Sequence, residues 1–424
     1  PRTPARVARR AKRSPVAGER LDPMIEIEAR LDELETMGLQ RRTRLISGPQ
    51  GPHVVLDGKP VLLLCSNNYL GIADHPRVRR AAADAAMQWG AGAGASRLIS
   101  GTMTVHRRLE ERLAAFKGRE AALLFGSGYL ANVGTIAALA RPGDVVFSDE
   151  LNHASIIDGC RLSRADRFVY NHCDFEHLEW GIERAEGRGA LIVTDSVFSM
   201  DGDVAPLAEI AGLADRHRLR MLVDEAHGMG ALGPGGRGAV AEAGLAERVD
   251  VVVGTLGKAL GSYGAYVVCD RSMARYLLNA ARTFIFSTAL PPPAVAGALA
   301  ALELLAERPD RVQKLASNSA LLRTELASEG FDLGGSRTQI VPLVVGEAEL
   351  AVRICETALA RGVFAQAIRP PTVAPGSSRL RLAVMASHRE EELRFAARTI
   401  AQAAREAGFN PRRLPASELR PRAA

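Results

Sequence analysis

The sequence predicts an α/β fold: a mostly parallel central sheet flanked by helices, followed by a smaller C-terminal α/β domain. Three observations predict it. Short apolar runs (121–125, 145–147, 190–193, 221–223 and 251–253) alternate with stretches of helical periodicity, the pattern of βα units in a parallel sheet. The runs read as buried strands, and each exits into glycine or polar residues. Those exits place chemistry-bearing side chains at the carboxyl ends of the strands, where such sheets gather ligands.

Taken in order, residues 22–40 carry apolar side chains at helical spacing, with Gly38 as the stop. Residues 51–65 alternate like a hairpin turning at Asp57-Gly58. Residues 66–71 (Ser-Asn-Asn-Tyr-Leu-Gly) form a polar loop. The glycine-rich stretch 90–101 does not fit Gly-x-Gly-x-x-Gly in a strand-turn-helix setting, so a dinucleotide fingerprint is rejected. Residues 103–117 form an amphipathic helix on which His106 is structural. Residues 121–132 read as strand, glycine turn and helix, which aims free N–H groups and a helix N-terminus at an anion. A Gly-x-Ser-x-Gly hydrolase elbow around Ser127 is excluded, because Leu124 or Phe125 stands where its first glycine belongs. In 171–177 (Asn-His-Cys-Asp-Phe-Glu-His) no ligand-like spacing supports a metal, and Asp174 reads as a helix N-cap. Residues 207–218 are helix. Residues 284–293 break the pattern, and a helix over 294–306 leads to the smaller domain, where Arg369, Arg379 and Arg381 stand out. Arg379 is expected on the strand face opposite Arg381 and is assigned no role. The expected organisation is a disordered basic tail (1–20), a helix and hairpin arm (21–65), a large domain (66–305), a small domain (306–410) and a loose tail (411–424).

Composition narrows the class. A chain of 424 residues with 47% hydrophobic and 24% charged residues suits a soluble globular protein with a large core. No apolar run reaches the roughly 18 residues of a membrane span. The net charge of +6 is mild, and much of it sits in residues 1–13. No reader motif accompanies that basic start, which argues against nucleic acid; a transit peptide is its alternative reading. Five scattered cysteines without a Cys-x-x-Cys point to reduced thiols and the cytoplasm.

The chemistry centres on Lys258, which follows the buried run 251–253 and is surrounded by glycines 254, 257, 261 and 264. A P-loop fails, because Val252 stands at its first glycine and Ala259 follows the lysine. The other reading is a Schiff-base lysine for pyridoxal phosphate (PLP), whose ring nitrogen needs a carboxylate partner. Asp224, ending the run 221–223, supplies one, with His227 three residues on.

Together these stretches, from about Asn67 to Arg381, resemble the α-oxoamine synthases, a family of fold-type I (aspartate aminotransferase-like) PLP-dependent transferases. The resemblance implies the following roles. Lys258 carries PLP, Asp224 holds the ring nitrogen, and His153 stacks on the ring. His227 and Ser199 bond the phenolic oxygen. Ser127, Gly128, Tyr129 and Thr255 surround the phosphate, and Ser287 and Thr288 reach it from the neighbouring subunit, which implies a homodimer with shared sites. Asn67 and Arg381 contact the amino acid, while Arg41 and Arg369 face the acyl chain. The implied reaction is a decarboxylative C-acylation in which Lys258 removes the α-proton. Residues 255–264 and 368–372 look like the biotin-pathway branch, which joins L-alanine to pimeloyl-CoA or pimeloyl-ACP. The branch that acetylates glycine is the alternative.

Overall fold

The computed structural model describes residues 23–411; the tails expected at 1–20 and beyond Pro411 lie outside the described residues. The chain divides into two compact units, residues 1–44 and 45–424. In the first, a helix spans Pro23–Thr36. Gly38, at φ 64°, stops it, and Leu39 N–H returns to Leu34 O at 2.8 Å.

In the second unit seven of the described strands form the main sheet. Their order across it is Ala121–Phe125, Ala265–Cys269, Val251–Thr255, Arg220–Asp224, Gly189–Asp195, Val145–Asp149 and Asp166–Tyr170. All pairings from Val251–Thr255 outward to Asp166–Tyr170 are parallel. Ala265–Cys269 alone runs antiparallel to its neighbours, so Ala121–Phe125 still points the same way as the rest. Alternate residues serve opposite faces. Ile192, Met221, Val223 and Val252 join one buried apolar cluster, and Leu191, Leu222, Val251 and Val253 the other. Burial on both faces is why these strands are apolar throughout.

The register aligns the strand exits. Asp195 lies opposite Asp224, which lies opposite Val253. Phe125 lies opposite Ala265, which lies opposite Thr255. The helix Gly128–Leu139 and the Lys258 loop therefore start side by side.

The expected hairpin is present, His53–Leu56 against Lys59–Leu63, with Asp57 and Gly58 at φ 50° and 82°. Its second strand also pairs, in parallel, with Val363–Phe364. A three-stranded sheet carries Ile340–Gly346, Ser378–Ala383 and Gln366–Ile368 in that order. His106 is structural: one ring nitrogen accepts from Met103 N–H at 3.2 Å and the other bonds Leu290 O at 2.9 Å. Asp174 caps the helix Phe175–Arg184 by accepting from His177 N–H at 2.8 Å. Among the described residues no helix is long and apolar enough to cross a membrane.

Candidate active site

Lys258 sits in a loop held by its own backbone. Thr255 Oγ1 accepts from Gly257 N–H at 3.2 Å and donates to Gly264 O at 3.1 Å. Gly261 N–H closes on Lys258 O at 2.9 Å. Gly261 has φ +60°, and a Cβ there would lie 2.6 Å from Ala73 Cα, so the position excludes any side chain. Burial lowers the Lys258 amine to about 8; Asp224 and Asp195 oppose the shift and Arg381 adds to it.

Lys258 Nζ lies 2.8 Å from His227 Nε2. On its far side His227 Nδ1 lies 2.6 Å from the Tyr69 hydroxyl, which reaches Asn67 Oδ1 at 3.0 Å. Asn67 Oδ1 also accepts from the Arg381 guanidinium at 3.3 and 3.4 Å. The amide oxygen can only accept, so the Tyr69 hydroxyl donates to it and accepts from His227 Nδ1–H. His227 Nε2 is then left as the acceptor for Lys258. Burial, with Lys258 and Arg381 nearby, drives the imidazole well below its usual pKa and keeps it neutral.

Asp224 is 4% exposed. Its carboxylate accepts from Asn132 Nδ2 at 2.6 Å and Ala226 N–H at 2.8 Å. No ion pair with it is found among the described residues. A buried carboxylate normally has a cation against it, and a protonated pyridine nitrogen is such a cation.

His153 caps the helix Ala154–Ser163. Its N–H donates to Asp195 Oδ2 at 2.7 Å, and its Nδ1 lies 2.7 Å from Ser155 Oγ. Asp195 N–H in turn donates to Asn152 Oδ1 at 2.8 Å. Burial lowers the His153 imidazole. Burial, reinforced by Asp224, pushes the Asp195 carboxyl well up, which favours the neutral acid beside Asp224.

Ser127 is the N-cap of the helix Gly128–Leu139, its Oγ accepting from Leu130 N–H at 3.2 Å. The N–H groups of Gly128 and Tyr129 begin the helix and have no carbonyl of their own turn to bond. The Tyr129 side chain points elsewhere, donating to Asp158 at 2.5 Å. A phosphate would use the backbone here.

Arg381 is buried; its Nε donates to Ser199 O at 2.5 Å. The expectation for Arg379 is corrected. Residues two apart share a strand face, and Arg379 reaches the same loop, to Asp201 Oδ1 at 2.5 Å and Met200 O at 3.3 Å. Its guanidinium is committed to Asp201.

The structure thus gathers Lys258, His227, Asp224, His153, Asn67, Ser199 and Arg381, with Ser127, Gly128 and Thr255 on the adjoining strand exits. Thr288 bridges Ser96, next to the half-buried Ser287. Arg369 follows the strand Gln366–Ile368, at the end away from Arg381. Arg41 is an exposed residue of the first unit. Four residues were not anticipated: Tyr69, Asn132, Asn152 and Asp195. Asn132, a polar side chain between Ala131 and Val133 in an apolar turn, carried a readable signal.

An amine in a glycine loop, an unpaired buried carboxylate, a neutral histidine and a helix N-terminus match, one for one, the carbonyl, ring nitrogen, phenolic oxygen and phosphate of PLP. The fold and the site define a PLP-dependent enzyme. The chain belongs to the class I and II aminotransferase family, which residues 59–400 match. It is similar to the 8-amino-7-oxononanoate synthase of Citrifermentans bemidjiense, 52% identical over 381 residues that cover 89% of this chain and 98% of the relative. That of Geobacter metallireducens is 54% identical over 367 residues, 86% of this chain and 94% of the relative. Among solved structures, a serine palmitoyltransferase from S. paucimobilis with bound PLP and myriocin superposes with a TM-score of 0.87 at 32% identity, covering 91% of this chain and 99% of that one. The 8-amino-7-oxononanoate synthase of Francisella tularensis gives a TM-score of 0.71 at 26% identity, covering 82% and 99%. The resemblance to α-oxoamine synthases and the fold-type I architecture both hold.

Proposed function

We propose that the chain catalyses the 8-amino-7-oxononanoate synthase reaction. L-Alanine and a pimeloyl thioester of coenzyme A or an acyl carrier protein give the amino ketone, CO₂ and the free thiol. The observation that carries the site is the buried Asp224 carboxylate, which has no ion pair among the described residues and acts electrostatically on Lys258. What carries the substrate assignment is the set of relatives of that name at 49–54% identity, against 32–33% for the serine palmitoyltransferases.

When bound, PLP supplies a ring that accepts the electron pair left as the amino acid loses a proton or CO₂. The residues of the chain do the rest. Lys258 Nζ, with its amine lowered to about 8, is partly unprotonated near neutrality and moves the α-proton. Asp224 holds the ring nitrogen's proton, oriented by Asn132. His227 keeps an acceptor toward Lys258 and is locked in that tautomer by Tyr69. Ser199 would bond the phenolic oxygen beside His227, and His153 would lie against the ring. Ser127, Gly128, Tyr129 and Thr255 hold the phosphate, joined by the partner copy's equivalents of Ser287 and Thr288 in a homodimer. Arg381 forks onto the substrate carboxylate with Asn67 beside it. Arg369 serves the acyl chain.

The test is thiol release by purified, PLP-loaded protein. L-Alanine, glycine and L-serine are each offered with pimeloyl-, acetyl- and palmitoyl-CoA. Release with L-alanine and pimeloyl-CoA is expected. Release with glycine and acetyl-CoA alone, or L-serine and palmitoyl-CoA alone, would overturn the substrate assignment and leave the cofactor roles standing.

A further inference from the structure

We infer that His172, bridging Asp149 and Asp203, is a positioning residue for Arg381, acting through the strap of residues 197–204. The inference rests on the reading of Arg381 as the residue that binds the amino acid's carboxylate. His172 Nδ1 lies 3.0 Å from Asp149 Oδ1, and His172 Nε2 lies 2.7 Å from Asp203 Oδ2. Both partners are carboxylates, so both ring nitrogens must carry hydrogen, and the ring is an imidazolium. Burial alone would lower its pKa, but the bonds to Asp149 and Asp203 overcome this and raise it to about 12. The other polar groups facing it are Cys173, its Sγ 3.6 Å from Nε2, and Glu150, which accepts the His172 N–H at 2.9 Å. Phe198 stands edge-on to the ring at 4.3 Å. Asp149, His172 and Cys173 have metal-ligand atoms within 4.8 Å of one another. Both His172 nitrogens are committed to carboxylates, however, and the imidazolium has no lone pair for a metal.

The clamp is anchored at one end and useful at the other. Asp149 terminates a strand of the main sheet and is fixed by Leu151 N–H and Cys173 N–H, each at 2.8 Å. Asp203 belongs to a strap closed on itself by the Val197–Val204 bridge and by Phe198 N–H to Asp203 O at 3.1 Å. The outer side of that strap faces the strand Ser378–Ala383. Ser199 O accepts from Arg381, Met200 O and Asp201 accept from Arg379, and Gly202 O accepts from Thr338 at 2.9 Å. Among the described residues no side chain of the main sheet bonds Arg381 directly. Asn67 and Tyr69 meet its terminal nitrogens at 3.3–3.5 Å, while the strap holds its Nε at 2.5 Å, and His172 ties that strap to the sheet that carries Asp224.

The test compares PLP-loaded wild type with His172→Gln and Asp203→Asn, the second being the milder change. L-Alanine, glycine and L-serine are titrated without thioester, with the cofactor absorbance as readout. The KM for pimeloyl-CoA, kcat and the melting temperature are measured alongside. Displacement of a substrate-binding group by about 1 Å costs up to roughly a hundredfold. Amino-acid binding is therefore expected to weaken about ten- to a hundredfold in both variants, with the KM for pimeloyl-CoA and the cofactor spectrum unchanged. The double variant should be no worse than the poorer single one. Unchanged amino-acid affinity in Asp203→Asn would overturn the inference, as would joint loss of cofactor and both substrates, the mark of a merely structural role. A wild type silent to all three amino acids would overturn the reading of Arg381, and this inference with it.

Discussion

Replacing Asn132 by leucine removes two hydrogen bonds, one to the Asp224 carboxylate and one to the Ser155 hydroxyl. Asn132 is fully buried, and its amide donates to Asp224 at 2.6 Å and to Ser155 at 2.9 Å. Its own Oδ1 has no partner. Leucine has a similar shape, so no large cavity opens. A hydrogen bond to a charged group contributes about 1.5–3 kcal/mol. Deleting the unpartnered Oδ1 offsets part of the cost to the fold, because an orphaned buried acceptor itself costs about 1–3 kcal/mol. The loss therefore falls mainly on the orientation of Asp224, the residue proposed to meet the PLP ring nitrogen. At about 1.4 kcal/mol per factor of ten, the PLP dissociation constant should rise about ten- to a hundredfold. The melting temperature of the PLP-free protein should move little. The assay is titration of PLP-free protein with PLP, followed by absorbance, beside a thermal melt. An unchanged dissociation constant in a folded variant would refute the account of Asp224 as a carboxylate dependent on Asn132.

Three further outcomes are expected. The imidazolium of His172 has a folded pKa raised from 6.5 to about 12, so its stabilisation is complete below pH 6.5 and declines as pH rises toward that value. The deficit of His172→Gln in urea unfolding should be largest near pH 6 and shrink by up to about 1.4 kcal/mol per pH unit above it; a deficit equal at pH 6 and pH 9 would mean a neutral ring. Arg381→Lys keeps the charge and loses the fork, and should raise the KM for L-alanine about tenfold or more while leaving the KM for pimeloyl-CoA in place, both read from thiol-release kinetics. Lys117→Met strips the buried Glu225 of the lysine that pairs with it. It should cost about 3–5 kcal/mol in denaturant unfolding, and an unchanged midpoint would refute that pairing.

Much of the site was legible because strand exits are legible. Apolar runs ending in Asp224 or leading into the Lys258 loop announce both a buried strand and the polar group at its end. The antiparallel strand Ala265–Cys269 was not, because direction within a sheet leaves no mark on a fully apolar run. Tyr69 escaped because a tyrosine in a turn has no period to break, and its bond to His227 spans 158 positions. Asp195 hid for a different reason. An acid at a strand exit reads as a solvated end, and only its registration against Asp224 shows a carboxyl forced toward neutrality. Arg379 was misjudged through the strand period itself, and counting by two would have put it beside Arg381.

The parallel pairing of Lys59–Leu63 with Val363–Phe364 has a consequence for how the chain is made. The two segments lie about 300 residues apart, and contacts so distant in sequence are slow to form. On the ribosome the hairpin emerges early, and one edge of it stays unpaired until most of the polypeptide has followed. An open edge is a template for the wrong strand. Polypeptides released before residue 363 should therefore aggregate even though the main sheet is complete, and a release-point series with a solubility readout would show recovery only beyond that position.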